Sequence, residues 1–310
     1  MSIFTSFMLI LWAAVFAPVP AQRARVIADD KPAQAAPTAP ADPPALIVKA
    51  PTGTIVWIDR LRYGKTGADG ALKIARLSSG AHSLRARLKG KREVTQSFTS
   101  AGAPNQEVSV KFTAPASPAE LRFQTAEELR ETGKHKEAIK EYRQALALNK
   151  RGYAAARIGL ARSLMASEEY EDAITEARRA INDSGGHNAE ASTVLGNTRR
   201  FQGLYDQAIT NYQTAIAESR NAMPEAHTGL ALTFSDRNRP DDTIKHLRLA
   251  AEQSRDTEPV IYFLLGSALE REVRNQEALE AYEKYLLLDP QNRQAAAVRS
   301  IIKQLRRSVQ

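Results

Sequence analysis

The sequence predicts a multidomain fold, in which a small antiparallel β-sandwich is followed by an all-α solenoid of helical pairs. Five short, partly alternating apolar runs lie between residues 46 and 113, and this pattern is typical of strands. From residue 119 onward, the sequence repeats with a constant offset of 35 residues. Self-similarity at this period indicates stacked helical units rather than one globular core.

Residues 1–21 carry no charge, and 3–17 are almost wholly apolar. Val19 and Ala21 form an acceptable signal-peptidase site, so we expect a signal peptide over 1–21 that is cleaved after Ala21. The alternative is an uncleaved N-terminal membrane anchor. The apolar run is shorter than the roughly 20 residues that a spanning helix needs.

Residues 22–45 form a linker rich in proline and alanine, which cannot bury a core and favours extended conformations. The chain contains no cysteine. An exported protein of this sequence therefore has no disulfide and no thiolate metal site. It would be held together by core packing alone.

The predicted strands of the β-sandwich, residues 46–113, are separated by glycine-containing turns. We expect strands at the following runs: 46–48, 54–58, 72–74, 82–88 and 108–112. Several short strands with such breaks favour a sandwich.

Three segments of this region, Pro51–Asp59, Gly64–Thr66 and Leu77–His82, resemble a PEGA domain. Arg60 stands where that family usually has glycine, and the naming tetrapeptide reads PTGT. The run Thr66–Leu72 also resembles the carboxypeptidase regulatory-like β-sandwich. Either resemblance implies a bacterial envelope module, and neither carries over a catalytic residue.

The 35-residue repeat is clearest at a short motif that begins Glu137-Ala138-Ile139 and recurs four times. An earlier couple of a leucine with a small residue, such as Leu195-Gly196, precedes most copies of the motif. Two helices cross closely only where each presents a small residue to the other. Tyr285 replaces a small residue in the last copy, so we expect altered packing there.

This combination resembles the tetratricopeptide repeat (TPR) family over five copies, residues 119–291. Residues 292–308 read as an amphipathic helix that caps the resulting TPR solenoid. The resemblance implies a concave groove, lined by the first helix of each unit, that binds an extended or helical peptide. Counting helical faces predicts these groove residues: Arg162, Asn197, Arg200, Phe201, Ser235, Glu270 and Arg271. Arg162, Asn197 and Arg200 would offer donors to a peptide backbone or carboxylate; the alternative is that all seven are ordinary solvated positions.

The net charge of +8 resides in the β-region. Residues 46–113 contain 12 Lys and Arg against 4 Asp and Glu, whereas 119–310 contain 28 of each sign. We expect five basic residues beside one hairpin to face an anionic envelope surface, such as lipid headgroups or an acidic cell-wall polymer. They are Arg85, Arg87, Lys89, Lys91 and Arg92. The alternative is that they protect strand edges against pairing.

The sequence contains none of the common hydrolase, zincin or dinucleotide-binding motifs. The five histidines have no metal-ligand spacing, although His227 and His246 could meet within the fourth helical pair. We therefore predict no enzymatic activity, no cofactor and no metal. The basic residues are not interleaved with aromatic stacking platforms, so we also predict no nucleic-acid binding.

These observations favour an exported, non-catalytic scaffold or adaptor, periplasmic or associated with the cell envelope. Its array would bind a protein or peptide, and its basic β-domain would face the envelope. The alternative is a cell-wall or glycan-binding protein in which the array is a spacer or an oligomerisation element.

Overall fold

A computed structural model describes residues 45–149, 152–219 and 222–309. The predicted signal peptide and most of the linker lie outside the described residues. Within the described residues, seven strands come first and eleven helices follow, as the fold class predicted. Within the described ranges, none of the helices has the length and apolarity needed to cross a membrane.

The strands form two sheets. Their bounds are β1 Leu46–Lys49, β2 Ile55–Ile58, β3 Leu61–Lys65, β4 Ala71–Ile74, β5 Gly80–Arg87, β6 Val94–Ser100 and β7 Gln106–Ser109. One sheet has the order β4-β1-β7 and the other has the order β3-β2-β5-β6. All pairs are antiparallel except β1 with β7, which run parallel.

Two strands were not predicted from the sequence, β3 and β6. In β3, Gly64 interrupts the apolar pattern and the ladder with β2 shifts by a bulge between Val56 and Trp57. In β6, polar and half-buried residues alternate with few aliphatic side chains. Both strands are therefore set by pairing to a neighbour rather than by their own hydrophobicity.

The sandwich core lies between the two sheets. Val56 and Ile58 of β2, and Leu84 and Ala86 of β5, are fully buried in it. Because successive side chains of a strand point to opposite faces, the residues between these positions lie on the outer face of the four-stranded sheet. That outer face is the one that meets the helical array.

The helices form five antiparallel pairs and one final helix. Their bounds are α1 Pro118–Glu131, α2 His135–Leu148, α3 Ala154–Ala166, α4 Tyr170–Asp183, α5 Ala189–Phe201, α6 Tyr205–Glu218, α7 Pro224–Asp236, α8 Pro240–Ser254, α9 Val260–Arg271, α10 Asn275–Leu288 and α11 Ala295–Ser308. The small residues predicted at helix crossings are fully buried where they occur in the second helices, at Ala145, Ala180, Ala215 and Ala250. The domain boundaries proposed from the sequence stay a prediction.

The last unit packs as the sequence indicated. Tyr285 is buried, and its ring lies 5.5 Å from that of Phe263. Val298, Ile302 and Leu305 of α11 belong to the same buried cluster. The large tyrosine thus contributes to the surface that the final helix covers.

A second size relation connects neighbouring units. A Cβ built at Gly229 of α7 would lie 2.3 Å from the ring of Tyr212 in α6, and one at Gly159 of α3 would lie 2.4 Å from Tyr142 in α2. At the junction between the second and third units, the equivalent positions hold Ala177 of α4 and Val194 of α5, which belong to one buried cluster. A large ring therefore faces glycine, and a small residue faces valine.

The turn inside each unit repeats as well. Position 133 and its equivalents every 35 residues all have positive φ, at Gly133, Glu168, Gly203, Asn238 and Val273. Glycine adopts this conformation without strain, whereas a β-branched side chain does so rarely. Val273, at φ 57°, is therefore the most strained of the five.

We expect Val273→Gly to stabilise the array by about 1 kcal/mol, because it removes left-handed strain that exceeds the added chain entropy. No packing is lost, since Val273 is 76% exposed. Equilibrium unfolding in urea measures the change. The neighbouring Glu272→Gly is the control: Glu272 has φ −89°, so glycine there should destabilise. Equal effects of the two variants would exclude strain at Val273.

Candidate functional site: the concave face of the array

The concave face of the array is formed by the first helices of successive units. Helix α1 contacts α3, α3 contacts α5, and α5 contacts α7, so these helices lie side by side. Glu127, Arg162 and Asn197 occupy the same position in the first three units, 35 residues apart. They therefore follow one another along this face.

Arg162 and Asn197, two of the predicted donors, both bind Glu225. Arg162 Nη1 donates to Glu190 at 2.9 Å, and its Nη2 donates to Glu225 at 2.8 Å. Asn197 Nδ2 donates to Glu225 at 3.2 Å, while its Oδ1 accepts from the Tyr212 hydroxyl at 2.7 Å. Two carboxylates of the chain thus engage Arg162, although a guanidinium has further N–H donors. Its binding to a peptide backbone or carboxylate stays a prediction.

Arg200 and Phe201 lie further along the same helix face. Arg200 Nη1 forms an ion pair with Asp236 at 3.0 Å, whereas its buried Nε has no hydrogen-bond partner among the described residues. Its guanidinium lies 4.8 Å from the centre of the Phe201 ring. Phe201 in turn stacks on Tyr170 at 6.5 Å, with the ring planes 6° apart.

The three remaining groove positions lie towards the C-terminal end. Ser235 is half-buried in the last turn of α7, and Arg271 is exposed at the end of α9. Glu270 accepts a hydrogen bond from the Tyr282 hydroxyl at 2.8 Å. The structure thus brings Arg162 and Asn197 together through Glu225, and it places Arg200 and Phe201 on the helix of Asn197. The other three residues lie in the last two units. Peptide binding by all seven stays a prediction.

The β-domain docks on the array through the outer face of its four-stranded sheet. Trp57, which pairs with Arg85 in the ladder, is only 9% exposed although it lies outside the sandwich core. The guanidinium of Arg85 lies 4.3 Å from the Trp57 ring centre, and that of Arg87 lies at 5.1 Å. Arg87 also lies 4.6 Å from the ring of Phe123 in α1. We name Trp57, Arg85 and Arg87 the cationic cluster.

Glu127 joins this cluster to the array. It accepts from Arg87 at 3.3 Å, from Arg130 at 3.1 Å and from the Tyr142 hydroxyl. Burial alone would raise the pKa of Glu127, but the charges of Arg130 and Arg87 and the Tyr142 hydrogen bond lower that pKa to about 2. Glu127 is therefore a carboxylate at all physiological pH values.

Contacts on both sides of the cationic cluster extend the interface. The Gln124 amide donates to the Lys91 carbonyl and accepts from the Gly90 N–H, both at 2.9 Å. At the far end, Arg255, in the loop before α9, forms an ion pair with Asp59 at 3.2 Å. The β-domain thus lies along the concave side from α1 to the fourth unit.

The basic patch predicted to face an envelope surface is divided by this docking. Arg87 has a side chain that is 8% exposed and pairs with Glu93 and Glu127, so it cannot contact an external surface. Arg85 is half-buried, and Lys89 pairs with Glu128 at 2.8 Å. Lys91 and Arg92 are exposed, and their contact with an anionic surface stays a prediction.

The sequence reasoning did not identify Glu127, Glu190, Glu225 or Trp57 as parts of this face. Two signals point to them in retrospect. Glu190 and Glu225 are 35 residues apart and so occupy equivalent positions in neighbouring units. Trp57 lies between two residues that the alternation of a strand assigns to the core, so a large aromatic is left on the outer face.

His227 and His246 meet within the fourth helical pair, as the sequence suggested. Their Nδ1 atoms lie 3.0 Å apart and their rings stack at 5.3 Å. Burial, and then the neighbouring His246, lower the pKa of His227 to about 4. Burial and the charge of Lys245 lower the pKa of His246, against a smaller opposing effect of Asp242.

The folded protein therefore binds protons at His227 less readily than the unfolded chain does. We expect the stabilisation contributed by neutral His227 to be complete above pH 6.5 and to be lost as the pH falls towards 4. The free energy of unfolding should be about 2 kcal/mol lower at pH 5 for this reason. Urea unfolding of the wild type and of His227→Gln at pH 7.5 and 5.0 measures the difference. His187→Gln is the control, since that side chain is 83% exposed. An unchanged pH dependence in His227→Gln would refute the assignment.

Stacked antiparallel helical pairs with a concave face of polar side chains define a class of repeat proteins that are generally non-catalytic interaction scaffolds. Family models of the tetratricopeptide repeat match residues 129–197, 193–258 and 259–292. The helical array, which makes up more than half of the chain, therefore belongs to the tetratricopeptide repeat family. No curated protein matches this sequence.

Solved structures share the fold of the array. A TPR protein of Thermus thermophilus, TTC0263, matches with a TM-score of 0.51 and 18% identity over 60% of this chain and 98% of its own. PilF of Pseudomonas aeruginosa matches with a TM-score of 0.50 and 17% identity, over 60% of this chain and 88% of its own. A chain of the APC/C hetero-tetramer Cut9–Hcn1 matches with a TM-score of 0.51 and 19% identity. The match covers 60% of this chain and 36% of that longer chain.

Proposed function

We propose that this protein is an exported, non-catalytic adaptor. Its TPR array binds a protein or peptide partner along the concave face, and its PEGA-like β-domain is directed towards the cell envelope. The observation that carries the proposal is the concave face itself. Charged side chains of four units converge there, and a folded protein domain already lies against them.

The envelope location is supported by the sequence at two places. The uncharged apolar segment at 1–21 has the composition of an export signal, and a proline-rich linker separates it from the β-domain. Lys91 and Arg92 keep exposed positive charge on the β-domain. Expression of the full chain in a bacterial host, followed by cell fractionation and intact-mass analysis, tests export. Cleavage after Ala21 is the expected result, and a full-length cytosolic product would contradict it.

Site-specific photo-cross-linking tests partner binding. A photoreactive amino acid at Ser235 or Arg271 on the concave side should cross-link a discrete protein in the envelope fraction. The same amino acid at Glu137 or Glu252, both exposed on second helices, serves as the control. Equal products from both sets of positions would contradict use of the groove. Cross-links to cell-wall polymer alone would favour the glycan-binding alternative.

A further inference from the structure

We infer that the concave face of the array binds basic segments that carry an aromatic residue. In the free protein, the cationic cluster of the β-domain occupies this binding site as an intramolecular ligand. An external partner of this chemistry binds by displacing that cluster. The inference rests on the proposed function and adds the chemical class of the partner to it.

Around Arg162 and Arg200, the concave face carries more negative than positive charge. Arg162 pairs with two glutamates and Arg200 with Asp236, so these two cations are matched by three carboxylates. Glu190 and Glu225 keep side chains that are 47% and 45% exposed after pairing with Arg162. The charge available to a ligand beside Arg162 is therefore negative.

The pKa values of two acids on this face shift in opposite directions. Partial burial, and then the negative charge of Glu225, raise the pKa of Glu258. Burial would also raise the pKa of Glu190, but the charge of Arg162 lowers it, with a smaller contribution from Arg85 of the β-domain. Glu190 is thus stabilised as a carboxylate by cations, one of which belongs to the β-domain.

Arg87 of the β-domain already occupies part of the concave face. Arg87 leaves water almost completely to lie between Trp57 and Phe123, with Glu127 as its partner across the interface. A guanidinium desolvated between two rings and paired with a carboxylate forms both a charge-assisted hydrogen bond and cation–π contacts. These are the interactions that an arginine beside an aromatic residue on another protein would make.

The tip of the β2–β3 hairpin, at Asp59 and Arg60, also contacts the array. Both residues have positive φ, 50° and 73°, in a two-residue turn where glycine is preferred at the second position. Arg60 extends from this strained position to the sulfur of Met223 at the start of α7, and Asp59 pairs with Arg255. The hairpin therefore keeps a strained arginine where it contacts the array.

The experiment uses the full chain with Trp12→Phe, which leaves Trp57 as the sole tryptophan. A fluorescein-labelled peptide that repeats Arg-Phe-Arg is the probe, and a Glu-Phe-Glu peptide of equal length is its control. We expect the basic peptide to bind by anisotropy and to shift the emission of Trp57 to the red as the ring becomes exposed. The acidic peptide should do neither.

The variant Glu190→Gln/Glu225→Gln should bind the basic peptide at least tenfold more weakly, because it removes two charges from the face. Glu137→Gln/Glu252→Gln removes two exposed charges from second helices and should leave binding unchanged. All four positions are exposed or half-exposed. Glu190→Gln/Glu225→Gln leaves Arg162 without its two counter-charges, so circular dichroism and urea unfolding check that this variant remains folded.

Binding of both peptides alike, or no binding of the basic peptide, would overturn the inference. So would binding of the basic peptide without a change in Trp57 emission, since that ligand would not displace the cluster. Should photo-cross-links from the groove still identify a partner, the adaptor function would stand and only its ligand chemistry would be wrong.

Discussion

Gly229→Ala is expected to destabilise the array by about 3 kcal/mol, although alanine normally stabilises a helix relative to glycine. The added methyl carbon would lie 2.3 Å from Cε1 of Tyr212, whose ring is fully buried. Tyr212 has little room to move, because Gly196 of its own unit also lies close to the ring, at Cδ1, Cε1 and Cζ. Urea unfolding followed by circular dichroism measures the loss.

The junction between the second and third units supplies the control for this prediction. There, Ala177 and Val194 occupy the positions of Tyr212 and Gly229. The double variant Tyr212→Ala/Gly229→Val copies that pair, so it should be more stable than the sum of the two single changes by about 2 kcal/mol. Strict additivity of the two changes would contradict the proposed size relation between units.

Glu127→Gln is expected to destabilise the protein by about 3 kcal/mol, because it leaves Arg87 and Arg130 partly buried without their shared counter-charge. Their side chains are 8% and 26% exposed. Denaturant unfolding measures this loss. The control is Glu128→Gln, one residue away, which breaks an exposed pair with Lys89 and should change stability by less than about 1 kcal/mol.

The Glu127 carboxylate should also make the stability of the protein depend on pH. The pKa of Glu127 is about 2 in the folded protein, below its ordinary value, so its stabilisation is complete above pH 4.5 and is lost as the pH falls towards 2. The stability difference between the wild type and Glu127→Gln should therefore shrink by about 2 kcal/mol between pH 6 and pH 3. A constant difference would show that the charge of Glu127 is not the cause.

The helical array could be predicted from the sequence because its packing is local and periodic. Small residues such as Ala145 and Gly196 recur at fixed intervals, and each interval corresponds to one helix crossing. The histidine pair followed from the same register, since both residues belong to one unit. The pairing of a tyrosine in one unit with a glycine in the next is also present in the sequence. It can be recognised only when the structure shows which positions face each other.

The arrangement of the charged side chains could not be predicted in the same way. Arg162 pairs with residues 28 and 63 positions away, and Asp59 pairs with a residue 196 positions away. Such pairs depend on the superhelical path and on how one domain docks on another, which periodicity does not encode. For this reason, Arg162 and Arg200, which were expected to offer donors to a peptide, already pair with carboxylates of the chain, and Arg87 of the predicted surface patch is buried.

The measurement that tests the account most directly is a zero-length carbodiimide cross-link in the intact chain carrying Arg255→Lys. If the β-domain lies along the concave face as described, Asp59 should form an amide with the lysine placed at position 255, which mass spectrometry of the digest would identify. Lys284 and Asp256, 2.7 Å apart within the array, provide the internal control. An amide between Lys284 and Asp256 without one from Asp59 to position 255 would contradict the docking of the β-domain on the concave face.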